Sequence, residues 1–328
     1  MVVIDEPEPF ALRALGIGTG DEVIAAAHGW HQVAQAVALS GARTVFTDIH
    51  YWSGCLDPAR AASHIGPATR AAIVGNVNGH PADWHGWRAL AGTHGLTLIE
   101  DATESIGSTL RGQPVGRFGD VAVFDFSQPS ALCCGEGGVL LTDDTALARE
   151  LRYLRARSTA DRRSVSVGAR VPMQAQMSEP TAAIALAQLS RIDEILERRK
   201  TVEAAYLDQM LSFEGIKPPY VAPDVDVVHW MLYVVHLGKR FTASACAQIV
   251  EDLRTECIES ALYCQPLHQQ FHYTQAGWSR GRLPLTERVA DRALALPLHA
   301  QLQPEQVRFI VETLKDSSIN VGAGAAIY

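Results

Sequence analysis

The feature that most constrains this chain is the regular alternation of residues 1–200 between short apolar runs and helix-like stretches. Runs at 22–26, 44–47, 71–76, 97–100, 121–126 and 138–141 have the length and composition of strands. Between them, 32–39, 58–64, 82–94 and 145–157 read as helices. Parallel strands need a crossover, and that crossover is normally a helix. The pattern therefore predicts an α/β fold with a mostly parallel sheet. Several strands end in polar residues, such as Asn76, Asn78 and Asp101. In open α/β sheets, ligands gather beyond the carboxyl ends of the strands. Residues 181–206 read as one long helix leading into a smaller α+β domain, with a strand at 227–237 and helices at 243–256 and 305–314. The expected division is a large domain over 1–205, a small C-terminal domain over 206–318 and a tail over 319–328. The tail, small and apolar, reads as disorder or a contact segment.

Composition narrows the partners. The chain has 328 residues, 47% hydrophobic and 20% charged, with a net charge of -8. That suits a soluble globular protein with a sizeable core. Its basic pairs are short and sit beside acids, so nucleic acid is not an expected partner. The longest apolar run, 227–237, contains His229 and His236 and is too short to span a bilayer. The N-terminus is acidic and lacks the order of a signal peptide. Six cysteines in a chain of this size do not suggest a disulfide framework. The expected location is a reduced cytoplasm.

Lysine is absent from residues 1–199; the only lysines are Lys200, Lys217, Lys239 and Lys315. The gap gains meaning from LGIGTGDEVI, SGARTVFTDI, NGHPADW, HGLTLIEDATESIGS, VGRFGDVAVFDF, GEGGVLLTDD and AAIALAQLSRIDEILERRK. With Pro266-Leu267-His268 and LALPLH these stand in the order and spacing of one family. From Ala11 to Leu314 the chain resembles the DegT/StrS-type sugar aminotransferases, fold type I of the pyridoxal phosphate (PLP) enzymes. The resemblance implies a large sheet domain, a small C-terminal domain and a dimer whose interface builds the active site. A homodimer is thus expected, or a heterodimer with a homologue.

The resemblance also implies where a cofactor would be gripped. The family carries a Schiff-base lysine, whose amine bonds the aldehyde, in a pattern like Phe-Ser-Phe-x-x-x-Lys. The matching stretch runs from Phe124 to Ser130, which puts Ser130 at the lysine position. Asp125 stands where a serine usually donates to the phosphate. Unit charges ~4 Å apart repel by roughly 4 kcal/mol at an effective dielectric near 20. The family's Ser-Gly-Thr turn opens a helix whose amides hold the phosphate. Only FALRAL resembles the end of that helix, so the chain reads as starting too late to include the turn. Gln174 matches a partner-subunit asparagine. Two contacts persist: Asp101 at the residue that pairs with the pyridine nitrogen, and Trp30 at the aromatic that stacks on the ring. Glu104 replaces a glutamine near the ring hydroxyl. The expectation is that PLP is not the ligand and that no cofactor is bound.

Chemistry is then expected from the remaining side chains. Crowded carboxylates raise one another's pKa and can serve as acid and base. Asp101, Glu104 and Asp125 are therefore expected to be catalytic, although Asp101 can equally cap a helix. His28 and His31, three residues apart, can act as a base, bind a metal with a carboxylate, or satisfy local polar groups. They join the catalytic set, and no metal is expected. Trp30, Ser130 and Gln174 are expected to contact substrate. Trp30 can also merely fill the space of a lost ring. Ser130 lacks a nucleophile elbow. Cys133 and Cys134 lack a basic partner, which leaves them as packing residues.

The expected function is a repurposed, PLP-independent enzyme. It would isomerise, dehydrate or cyclise a small metabolite in a sugar or secondary-metabolite pathway. Two alternatives stand beside it: a catalytically silent partner of an active homologue, and an aminotransferase holding PLP or its amine form (PMP) non-covalently.

Overall fold

The computed structural model describes residues 1–4, 7–127, 130–156, 173, 175–211, 213 and 215–324. In chain order its strands begin with β1 (Val2–Ile4), β2 (Glu22–Ala26), β3 (Arg43–Thr47), β4 (Thr69–Gly75) and β5 (Thr97–Asp101). A hairpin of β6 (Thr109–Leu110) and β7 (Gln113–Pro114) precedes β8 (Val121–Asp125) and β9 (Gly138–Leu141). Seven of these form one sheet in the order β1-β9-β8-β5-β4-β2-β3. Strands β2, β3, β4, β5 and β8 are parallel; β9 runs antiparallel to β8, and β1 at the edge pairs antiparallel with β9 and so runs with the parallel strands. The helices around them are α1 (Pro7–Ala14), α2 (His31–Ser40), α3 (Pro58–Ala61), α4 (Trp84–His94), α5 (Thr145–Arg155), α6 (Glu179–Leu189) and α7 (Ile192–Met210). The expected α/β class and mostly parallel sheet are what the chain forms.

Helices on both faces bury both faces of the central strands, so the strands are apolar throughout. Ile24, Ala72, Val74 and Leu98 face a core with Trp84 and Trp87 of α4. Their neighbours Val23, Ala71, Ile73 and Ile99 face the other core, with Phe10 and Leu12 of α1. This is the two-residue alternation of a strand. Helix α4 starts where the Asp83 side chain accepts from the Gly86 amide and stops at left-handed Gly95.

The C-terminal part contains β10 (Ile216–Lys217), β11 (Val225–Val227), β12 (Tyr233–Leu237), α8 (Ala243–Thr255), β13 (Ala261–Leu262), α9 (Phe271–Gln275), α10 (Pro284–Ala290), β14 (Ala293–Leu296) and α11 (Pro304–Gly324). Its sheet runs β10-β12-β14-β13, and β11 joins the β6–β7 hairpin. The first core continues here through Tyr206, Tyr233, Val235, Leu294 and Ile310.

Three expectations change. The helix read over 181–206 is two helices, interrupted at Arg191, whose φ of -113° and ψ of 8° leave the helical region. The strand read over 227–237 is two strands, because the Trp230 and Met231 carbonyls accept from the buried Arg199 guanidinium instead of a neighbouring strand. Helix α11 continues to Gly324, so the expected tail begins as helix.

Candidate active site

Three parallel strands end at one place. After β2 come His28, Gly29 and Trp30; after β4, Asn76 to Asn78; and β5 ends on Asp101 with Glu104 just beyond. Gly29, at φ 136°, makes the turn that a side chain would strain. A cavity of about 30 Å3 lies among Trp30, His28, Asn76, Asp101 and Glu104. In the conformation described it has room for a water rather than a ring.

Glu104 is buried, and its Oε2 accepts from the Asn78 amide and, at 3.4 Å, from the Tyr263 hydroxyl. Burial pushes its pKa up to about 8, with the Asp101 charge adding to the effect. Its acid form thus predominates at neutral pH. Asp101 is also pushed up, first by burial and then by the charges of Asp125 and Glu100, while the Thr103 amide donating to Oδ1 at 3.1 Å opposes the rise. Glu100 has another role: it accepts from Asn76 Nδ2 and the amides of Gly116, Phe118 and Gly119 at 2.7–3.1 Å. It ties the loop before β8 to the sheet.

Asp125 does not line the Trp30–Asp101 cavity. Its Oδ1 accepts from the Ser127 amide at 2.7 Å, and burial raises its pKa. Strand β1 is present, pairs with β9 and is followed by α1. Helix α1 opens on Pro7-Glu8-Pro9, so two of its first three residues have no amide hydrogen. Pro7 and Asp125 both press on Gly138, where a Cβ would lie 2.7 Å from Pro7 and 3.2 Å from the Asp125 Cα.

The histidine pair separates. His28 lies in the bend between β2 and α2 and is buried; His31 is the exposed first residue of α2 and borders no part of the cavity. Three-residue spacing aligns two side chains only when both lie within a helix. Burial, then the nearby His236, lowers the His28 pKa to about 4. The His28 ring packs edge-on against Tyr263, and Cys264 Sγ lies 3.5 Å from its Nδ1. Among the described residues, no group of three or more His, Cys, Asp or Glu side chains could hold a metal.

Ser130 is turned into its own loop, its Oγ donating to the Leu132 carbonyl at 2.8 Å, and it does not line the cavity. Gln174 lies outside the described residues. Cys134 donates to the Glu136 carbonyl, and burial raises its thiol pKa, which opposes a thiolate. Tyr263 and His236 went unnoticed in the sequence. Only tertiary folding carries them to Glu104 and His28, and neither sits in a local motif.

In chemical type the side chains match the ring half of a pyridine cofactor, with an aromatic wall in Trp30 and a half-buried acid in Asp101, although the cavity as described is smaller than a ring. None of the four lysines borders the cavity. Lys200 pairs with Glu203 at 2.8 Å, and Lys315 donates to the Gln209 carbonyl at 2.6 Å.

Residues 9–315 match the profile of the DegT/DnrJ/EryC1/StrS aminotransferase family. The chain is similar to a dTDP-3-amino-3,4,6-trideoxy-alpha-D-glucose transaminase of Streptomyces venezuelae, 33% identical over 308 residues, covering 93% of this chain and 79% of the relative. It is similar to a GDP-perosamine synthase of Caulobacter vibrioides, 34% identical, covering 93% of this chain and 81% of the relative. Among solved structures it resembles S. venezuelae DesV in complex with a ketimine intermediate, at 31% identity and a TM-score of 0.86, over 96% of this chain and 84% of that one. These likenesses overturn the expectation of a PLP-independent isomerase, dehydratase or cyclase. Relatives at this identity are named for amino-sugar synthesis, and they point to an aminotransferase.

Proposed function

Because the chain belongs to the DegT/DnrJ/EryC1/StrS aminotransferase family, we propose that it is an aminotransferase acting on a sugar, with PLP or PMP held by non-covalent contacts. The observation that carries the reading is that Trp30 and Asp101 border one cavity at the carboxyl ends of the parallel strands. When bound, such a cofactor carries an amino group from a donor to a carbonyl of the acceptor.

The chain's own residues have separable tasks in this reading. Trp30 supplies a flat apolar wall. Asp101, half-buried and with its pKa raised chiefly by desolvation, offers a carboxylate to a basic ring nitrogen. Glu104, mostly protonated at neutral pH, can donate a hydrogen bond to a ligand oxygen and can release or take up a proton there. No lysine precedes Lys200, so the reading gives the cofactor no covalent bond in this part of the chain. Holding it requires Trp30 to swing from its present position, since the cavity is smaller than a ring.

The reading includes a homodimer: Ile184, Leu186 and Leu189 on α6 are exposed apolar side chains that a second copy would cover. It also includes a reducing compartment, which suits six free cysteines. No described helix is long and apolar enough to cross a membrane.

The test is uptake and turnover. The protein is incubated with PLP or PMP, freed of excess by gel filtration and scanned for retained cofactor absorbance. It is then given glutamate and a dTDP-linked 3-keto sugar. Retained absorbance and an amino sugar are expected. Protein that emerges colourless in both cases and makes no amino sugar rejects the reading.

A further inference from the structure

Beside the Trp30–Asp101 cavity lies a second, of about 20 Å3, bordered by His28, Trp52, Tyr220, His236 and Tyr263. It shares His28 and Val77 with the first cavity. On its other side it shares Ser53 and Tyr220 with a chamber of about 370 Å3. The three thus lie side by side, each separated from the next by shared wall residues. We propose that the small cavity is a hydroxyl-binding subsite between His28 and His236, and that the outer chamber takes the ring bearing that hydroxyl, a neutral polyol. This rests on the sugar reading above and deepens it, by naming the groups that would recognise the acceptor.

Size is the first argument. About 20 Å3 accommodates a group as small as a water or a hydroxyl. The larger chamber can hold a six-membered ring.

Hydrogen-bonding character is the second. His28 and His236 are both buried, and both are held to a pKa of about 4, chiefly by burial. At neutral pH each is an uncharged imidazole with one donor and one acceptor nitrogen. A hydroxyl is likewise both donor and acceptor, so it complements the pair; a carboxylate can only accept. His236 Nδ1 is buried with no hydrogen-bond partner among the described residues, so the ring beside the cavity has hydrogen-bonding capacity that the fold does not use.

Walls and charge are the third. Trp52 lies edge-on to His236 at 5.7 Å, and Tyr220 stacks on His80 with an interplanar angle of 13°. Such rings suit the C–H faces of a sugar. Among the described residues, no lysine or arginine borders either cavity. The outer chamber instead carries Asp57, Asp83 and Asp224. Asp57 and Asp224 are paired to Arg60 and Arg111, and Asp83 caps α4 with no cationic partner. The residual charge is negative, so this chamber suits the neutral ring of the acceptor rather than an anionic part of it.

The test is NMR of the whole chain with 15N-labelled histidine, assigned with His→Gln variants and titrated separately with myo-inositol, D-glucose, acetate and pyrophosphate. The imidazole signals of His28 and His236 should move saturably with the two polyols and stay fixed with the two anions. In His236→Phe the polyol affinity read at His28 should fall about tenfold, the size of one lost hydrogen bond. Should that variant misfold, the selectivity of the wild-type signals still decides. Signals that move with the anions alone, or never move with polyols, overturn the subsite. Polyol binding without amino transfer sinks the aminotransferase reading and leaves the subsite standing; amino transfer with both signals unmoved sinks the subsite alone.

Discussion

Glu100 and Glu104 are both buried, four residues apart, and their surroundings make them opposites. Glu100 meets four donors and ties the loop before β8 to the sheet. Glu104 has fewer partners and a raised pKa, so it keeps its proton at neutral pH. That difference has a sign in stability. Between its ordinary 4.5 and about 8, the folded chain holds a proton that the unfolded chain has released. Stability therefore falls as pH rises through that window, by up to about 1.4 kcal/mol per pH unit. His28, His229 and His236, lowered from 6.5 to about 4, act in reverse and gain stability as pH rises to 6.5. Above 6.5 they fall silent, so from there to about 8 the slope comes from the raised carboxyls, Glu104 and, in the same direction, Asp101 and Asp125. Urea denaturation across that range should show falling stability in the wild type and a flatter line in Glu104→Gln. An identical slope in both would mean that Glu104 is ionised in the folded chain.

Elements were legible where local pattern decides and illegible where a distant residue does. Residues 71–74 alternate between two cores, and an apolar run of that length reads as a strand without any knowledge of the fold. Asp101 could be singled out the same way, because it ends such a run, whereas Trp30 was singled out only through the family resemblance. Helix α10 shows the other case. Its N-terminus has no side-chain cap of its own, and Asp48 supplies one from more than 230 positions away. Asp48 Oδ1 accepts from the Thr286 amide at 2.8 Å and its hydroxyl at 2.9 Å, while Oδ2 accepts from the Leu285 amide at 2.9 Å. Nothing near residue 284 announces this. His28 and His31 failed for a related reason: spacing suggests a shared face only if the helix has already begun. Asp48→Ala should cost about 2 kcal/mol, the upper end for a lost cap, because the donors it leaves are buried. Asp48→Asn should cost less, since one amide oxygen can still accept. Thermal unfolding of the two variants checks the order; equal losses would show that charge rather than acceptor geometry matters.

The whole molecule depends on how the C-terminal part is held against the sheet, because the cleft draws on both. Trp30, Asp101 and Glu104 come from the sheet; Tyr220, His236 and Tyr263 come from beyond residue 215. The sequence reading drew a boundary at 205, yet α7 runs through it from 192 to 210 and one apolar core spans both sides. Within α7, Tyr206 stacks on Tyr233 at 4.3 Å, and its hydroxyl donates to the Pro297 carbonyl at 2.8 Å. Arg199 does more: it is 8% exposed and donates to the carbonyls of Leu298, Trp230 and Met231 at 2.6–2.7 Å. Burial lowers its pKa only to about 10, so it remains a cation at neutral pH. Hydrogen bonds from a charged donor contribute about 1.5–3 kcal/mol each, but desolvating a guanidinium offsets part of that. Geometry decides the balance, because a planar fork can reach three carbonyls that a single ammonium cannot. Arg199→Lys should therefore lose stability and Arg199→Met should lose more, about 3 kcal/mol, with the 228–232 segment becoming cleavable by protease before global unfolding. If Met proved as stable as Arg, desolvation would have consumed the gain, and the apolar core alone would hold the two parts together.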